Sequence, residues 1–559
     1  MLFPTKRIAE DCRDFIERRT ALDGATVAAR LAHLLVHPGG DEVQPRITNG
    51  QQSPVDGSGS VDLHIVLFPS TAFSFAKQFW QHSGLGISSR LAEHCLSILS
   101  SSDSVTQPPS PKCNRFGLKS SNRHYSVKSN LKTSPKQSAY IPAALAQQSQ
   151  DELDSGHATY LEERYGRNLP LASALVAKRA LRRRIAGVLV RDSADTAERA
   201  GDEDLQVGPS SRGANVSEDD VYLYPGGMAA IWSAHNLALS IRPQAKSVCF
   251  GFPYTDTLKI LEKWGPGCHF FGNGVDSDID ELETLLAEGA ARDPSKPPVL
   301  ALFTEFPSNP LLRSADLPRL RALADKYDFL IVVDETIGNL VNVQVLPYAD
   351  IVVSSLTKIF SGDCNVMGGS MTLNPLGRHY TALKSWLSTN YEDVYFNEDA
   401  VFMERNSRDF KPRIRIIDAN AEAVCDFLQS RSRAGGVADA VIKGVFYPKF
   451  ITPQHYEHCR IKRSDDKSGY GGLFSLTFTN MAASEAFFDN LECYKGPSLG
   501  TNFTLASPFT ILAHFTELDW AARYGVEAGL VRVSVGMEDR NALLSVFKAA
   551  LEAAEATRA

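Results

Sequence analysis

The sequence predicts an α/β fold with a mixed, mostly parallel sheet, followed in the chain by a smaller α+β domain. The first observation behind this is an alternation of apolar runs and helical patterns. A strand is expected at Ser247 to Gly251, a helix from Asp256, a strand at Cys268 to Phe271 and a helix at Ile279 to Glu288; then a strand at Val299 to Glu305, a helix at Leu317 to Tyr327 and a strand in FLIVVDET, Phe329 to Thr336. Parallel strands joined by helices are the natural product of such a pattern. The second is that two apolar strands stop at chemically useful side chains. FLIVV stops at Asp334, and Ile351 to Val353 gives way to Ser355, Thr357 and Lys358. The third is a later set of short strands, at Gly444 to Tyr447, Leu473 to Thr479 and Leu530 to Val535, beyond a helical tract from Asn390 to Ser430.

In open α/β sheets, residues at the carboxyl ends of strands face the ligand crevice. A lysine after a strand is, by itself, usually a solvated surface residue. Asp334 and Lys358 together suggest more. Pyridoxal phosphate needs a lysine amine for its Schiff base and an acid to keep its ring nitrogen protonated. Strand-Asp334, S-x-T-K at Ser355 to Lys358 and then Val366-Met367-Gly368-Gly369 resemble the Cys/Met-metabolism family of pyridoxal-phosphate enzymes, and within it the fungal-type cystathionine γ-synthases. The resemblance runs from about Tyr160 to the C-terminus and implies a fold-type-I pyridoxal-phosphate transferase.

Composition is compatible with this. The chain has 559 residues, 43% of them apolar, enough for a substantial core. A net charge of −7 disfavours nucleic acid and anionic membranes as partners, and no stretch approaches the roughly 20 apolar residues of a membrane span. The N-terminus, MLFPTKRIAEDCRDFIERR, has no apolar h-region and carries several acids, so a cytoplasmic location is expected. Nine cysteines without a C-x-x-C pair indicate neither a disulfide framework nor a zinc site. We expect an N-terminal α/β extension over 1–99, with residues 1 to 38 largely helical, a loop from Gly39 to Gly59, a strand over Val61 to Pro69, and helices over Ser70 to Leu99 whose Phe75, Phe79 and Trp80 belong to a core. A basic, Ser/Pro-rich stretch over 100–155 reads as a disordered linker or insertion. The cofactor-binding domain is placed at 156–395 and the small domain at 396–559.

The resemblance also implies a site. Tyr165 and Arg167 fit a Y-x-R segment that crosses a dimer interface to the partner's cofactor phosphate, so a homodimer or homotetramer is expected, and a guanidinium fork suits that anion. Gly227 and Met228 open a helix whose bare amides suit a phosphate; where the family usually has Ser one place earlier, this chain has Gly226. Tyr254 takes the place of the tyrosine that stacks on the cofactor ring, and Asn309, in EFPSNP, lies beside the cofactor's phenolate oxygen and the substrate carboxylate. Ser355 and Thr357 join Lys358 as cofactor contacts. Ser498 begins an S-L-G loop, and Arg532 falls on the arginine that grips the substrate α-carboxylate. Lys358, Asp334 and Tyr254 are the implied catalytic set; Arg532, Ser498 and Asn309 hold substrate. Independently of the resemblance, an arginine within an apolar strand needs a partner, either a buried anion or a cross-strand Glu.

The implied reaction is γ-replacement on an O-acyl-L-homoserine by L-cysteine. One departure bears on it: many relatives carry a Glu three residues after S-L-G to recognise a distal amino group, and here that position is Phe503. γ-Lysis of cystathionine, direct sulfhydrylation and γ-replacement by carbon nucleophiles use the same scaffold. A non-catalytic scaffold protein is the alternative from another class, and a colourless protein would distinguish it.

Overall fold

The described residues build three sheets. The structure, a computed structural model, describes residues 1–24, 27–37, 60–102, 171–189, 207–462 and 468–558. The first sheet is β1 (Leu2–Phe3), β2 (Arg30–Val36) and β3 (Val61–Leu67), ordered β1-β3-β2 and antiparallel. A strand at Arg30–Val36 corrects the expectation that residues 1 to 38 are largely helical. The helix Lys6–Leu22 is there, capped by the Thr5 side chain, but RLAHLLV pairs along its whole length with β3, and cross-strand pairing decides the state of so short an apolar run. The expected helices follow as Phe73–Ser83 and Ser89–Ser102. The loop expected at Gly39 to Gly59 and the linker at 100–155 lie almost wholly outside the described residues.

The second sheet positions the site. It comprises β4 (Val221–Tyr224), β5 (Ser247–Phe250), β6 (Cys268–Phe271), β7 (Ala301–Glu305), β8 (Leu330–Asp334), β9 (Ile351–Ser355) and β10 (Gly369–Leu373), in the order β4-β10-β9-β8-β7-β5-β6. The ladders among β5 to β9 are parallel, and β10 is antiparallel to both its neighbours. Helices cover both faces, which explains the continuous apolar runs: in β8, Leu330 and Val332 join one core while Ile331 and Val333 join the other. The third sheet, β11 (Ile442–Phe446), β12 (Leu473–Phe478), β13 (Tyr494–Lys495), β14 (Leu505–Pro508) and β15 (Val531–Ser534), is ordered β11-β12-β15-β14-β13 and backed by Phe410–Gln429, Met481–Asn490 and Arg540–Ala556.

The N-terminal part shares a core with the second sheet. Phe3, Ile8, Phe15 and Phe79 pack in one cluster with Ala229, Ile231, Leu237 and the β8 residue Val332. Phe15 stacks on Trp264 with ring centroids 4.3 Å apart, and Trp264 donates through Nε1 to His82 Nδ1 at 2.8 Å. Among the described residues, no helix is long and apolar enough to cross a membrane.

Candidate active site

Parallel register brings the site's acids together. β7 and β8 run side by side with Glu305 opposite Asp334, so two apolar strands end at the same level in two carboxylates, Glu305 buried and Asp334 half-buried. Burial raises the pKa of Asp334. It also raises that of Glu305, with help from the Asp334 charge, to about 8. Asp334 Oδ1 accepts from the Thr336 amide at 2.9 Å and from the Thr336 hydroxyl, and the same hydroxyl accepts from the Ser355 amide at 2.8 Å. Thr336 thus ties the end of β8 to the end of β9. Glu305 accepts from the backbone amides of Tyr254 and Asn309, which fixes two further segments to this level.

Lys358 stands in the turn after β9. Its Nζ donates to Ser498 Oγ at 3.2 Å, so the S-L-G loop lies on the lysine, and Gly500 N donates to Ser534 Oγ at 2.8 Å to hold that loop to β15. Burial, reinforced by the positive Arg532, lowers the Lys358 pKa to about 8. A buried amine with that shift is available as a nucleophile near neutral pH. Thr357 exchanges hydrogen bonds with the Gly368 backbone, its hydroxyl donating at 3.2 Å and accepting at 3.1 Å, and so shapes the turn.

Gly227 opens the helix Gly227–Ile241 with Gly226 as its N-cap. A Cβ on Gly227 would lie 2.7 Å from Ser355 Cβ, so only glycine lets the helix start this close to the β9 turn. First-turn amides at such a start form an anion cradle.

From the third sheet comes Arg532, in β15 and only 6% exposed. Its cross-strand neighbours are Ser475 and Ser507, so the cross-strand Glu is ruled out. Nη1 donates to Asn309 Oδ1 at 2.9 Å, Nη2 donates to the Pro497 carbonyl at 3.0 Å, and the guanidinium lies 4.4 Å from the Phe509 ring centroid. These hydrogen-bond partners are neutral, and burial pushes its pKa down to about 10 against the opposing pull of Tyr254 and Glu305. A carboxylate is the ligand such a group lacks.

These groups line one cavity of about 470 Å³, which takes in Gly227, Met228, Tyr254, Asn309, Asp334, Ser355, Thr357, Lys358 and Arg532. Ser498 meets it through Lys358. Tyr254 is 47% exposed at the start of the helix Thr255–Lys263, leaving its ring open to a flat ligand. Tyr165 and Arg167 lie outside the described residues. Among the lining residues not assigned from sequence, two contributions matter most. Glu305 carried the same mark as Asp334, an apolar strand ending in an acid. The other is the N-terminal segment from Trp80 to Ser88: Trp80, Gln81, Gly84, Gly86, Ile87 and Ser88 all line the cavity. Trp80, expected in the core with Phe79, is 47% exposed, because Phe79 takes the inward face of their helix.

An anion cradle at a helix start, a buried amine of lowered pKa and an acid at the base of one crevice fit pyridoxal phosphate, and with the seven-stranded sheet they define a fold-type-I pyridoxal-phosphate enzyme. The comparisons agree. Residues 215–552 match the family described as Cys/Met metabolism PLP-dependent enzyme, and 1–88 match the fungal trans-sulfuration enzyme N-terminal domain. The chain belongs to the Cys/Met-metabolism family of pyridoxal-phosphate enzymes. It is 55% identical over 574 residues to the cystathionine gamma-synthase-like enzyme iboG2 of Amanita muscaria, covering 99% of this chain and 86% of that one. It is 44% identical over 571 residues to the cystathionine gamma-synthase of Neurospora crassa, with 99% and 86% covered. The crystal structure of the cystathionine gamma synthase from Xanthomonas oryzae pv. oryzae in complex with aminoacrylate and cysteine has the same fold, with a TM-score of 0.50 at 23% identity over 70% of this chain and 100% of that one.

Proposed function

We propose that the protein catalyses γ-replacement on an O-acyl-L-homoserine with L-cysteine, giving L-cystathionine. The observation that carries this is the pairing, in one cavity, of a buried Arg532 whose hydrogen-bond partners are neutral with the amine of Lys358, whose pKa is lowered by burial. The first suits the carboxylate of an α-amino acid; the second suits repeated proton transfer along its chain. Arg532 and Asn309 hold the α-carboxylate and so fix the direction of the Cα–H bond. Tyr254 covers the open face of the ring site. Gly227 and Met228 would cradle the phosphate, with Ser355 and Thr357 beside them, and Asp334 would receive the ring nitrogen. The bound cofactor supplies an electron sink conjugated to the substrate Cα. The Lys358 amine would accept the Cα proton, pass it on and, neutral again, take a proton from Cβ. The acyl carboxylate leaves from Cγ, and the cysteine thiolate takes its position.

The test is incubation of the purified enzyme with O-succinyl- or O-acetyl-L-homoserine and L-cysteine, followed by product mass. Cystathionine formed in proportion to cysteine is the expected result. A 2-oxoacid whose yield ignores cysteine would instead indicate a lyase. One observation favours a second reading. The loop Ser498 to Phe503 contains no carboxylate, and Phe503 packs on Tyr494 with ring centroids 4.6 Å apart. A nucleophile without an amino group, a carbon nucleophile among them, fits that loop, and competing candidates against cysteine in the same assay decides between the two.

A further inference from the structure

We propose that the N-terminal domain completes the cofactor cavity of its own chain: the segment Trp80 to Ser88 braces the phosphate cradle and walls the cavity, so retention of the cofactor depends on it. Three contacts carry this. First, Gly84 sits at φ +61 directly against the start of the helix Gly227–Ile241. A Cβ there would lie 2.9 Å from the Ala229 amide nitrogen and 3.1 Å from Met228 Cβ. The close approach and the left-handed backbone both demand glycine. The N-terminal domain therefore abuts the turn whose amides face the phosphate.

Second, the far end of the segment is tied to the lysine side of the cavity. Arg90 pairs with Asp399 and donates to the Asn365 carbonyl at 3.0 Å, in the loop after Lys358, while its guanidinium lies 3.9 Å from the Phe402 ring centroid. The Ser88 side chain also bonds Asp399. The segment thus spans from the cradle to the elements behind Lys358. Third, the Trp80 indole seats on Gly86, where a Cβ would come within 2.6 Å of the ring, and its half-exposed surface lines the cavity. The indole sets the shape of the turn and shields that side from water.

The test titrates apoenzyme with pyridoxal phosphate, reading occupancy from visible absorbance, dissociation from dilution, and fold from far-ultraviolet circular dichroism. No amino-acid substrate is used, so the result is independent of which reaction the enzyme performs. Trp80→Ala removes a half-exposed side chain and should leave the fold intact while raising the cofactor Kd by about tenfold, through faster dissociation. Trp80→Phe should recover most of that loss. Gly84→Val, which pushes on the cradle itself, should weaken binding further. A wild-type Kd and dissociation rate in folded Trp80→Ala overturns the proposal, whatever Gly84→Val does.

Discussion

Arg532 is a buried cation whose hydrogen bonds among the described residues go to an amide oxygen and a carbonyl, with the Phe509 ring beside it. Replacing it by alanine removes a charged hydrogen-bonding partner from a desolvated site, and we expect about 2 kcal/mol less transition-state stabilisation, or roughly thirtyfold in kcat/KM. Lysine keeps the charge, loses the fork and should restore only part. Cofactor absorbance should be unchanged in both variants; an alanine variant with wild-type kcat/KM would exclude the clamp. Lys358 supports a prediction in pH. Its pKa falls from 10.5 to about 8 because burial disfavours the ammonium form, so the neutral, nucleophilic fraction grows as pH rises and is nearly complete above that value. The rate of cofactor capture by apoenzyme should climb through about pH 8 and then level off, and Lys358→Ala should abolish the covalent linkage that borohydride reduction traps. A flat profile from about pH 6 to 10 would contradict the shift.

β7 and β8 end together, and this shared level has an energetic consequence. Glu305 is neutral in the folded apoenzyme up to about pH 8, whereas in the unfolded chain it ionises near 4.5. The folded state therefore binds the extra proton between those values, and stability falls as pH rises through that window. Glu305→Gln, which cannot ionise, should raise the apoenzyme Tm at about pH 8 relative to wild type and change it little at about pH 5. Thermal melts at the two pH values check this, and equal shifts at both would show that the cost is not one of ionisation. The strand ends were also where the sequence was easiest to interpret. An apolar run buried on both faces stops abruptly when it reaches the crevice, so Asp334, and Lys358 one turn beyond β9, stood out at once. β2 did not, because RLAHLLV fits a helix as well as a strand and only its partner β3, distant in the chain, decides.

In the whole molecule, the large sheet and the later α+β layer could be inferred because most of their strands are marked by their own apolar runs, alternating with helical patterns, although the strands that pair stand far apart in the chain. Trp80 could not be placed that way. Whether an aromatic on an amphipathic helix enters a core or a cavity depends on what the other face of the fold brings to it, here a cavity lined also by the helix start at Gly227. The Asn309–Arg532 bond was hidden for the same reason, since no local pattern pairs a turn of one domain with a strand of another. The cavity thus has contributors from near both ends of the chain, Gly84 and Arg532 among them, with the lysine turn between. On the proposed site, all three regions contribute to holding the cofactor. Colour in this protein would then work as a quality mark: a chain that turns yellow with added cofactor has brought all three regions together, and one that stays pale with cofactor in excess reports an error in assembly before any substrate is offered.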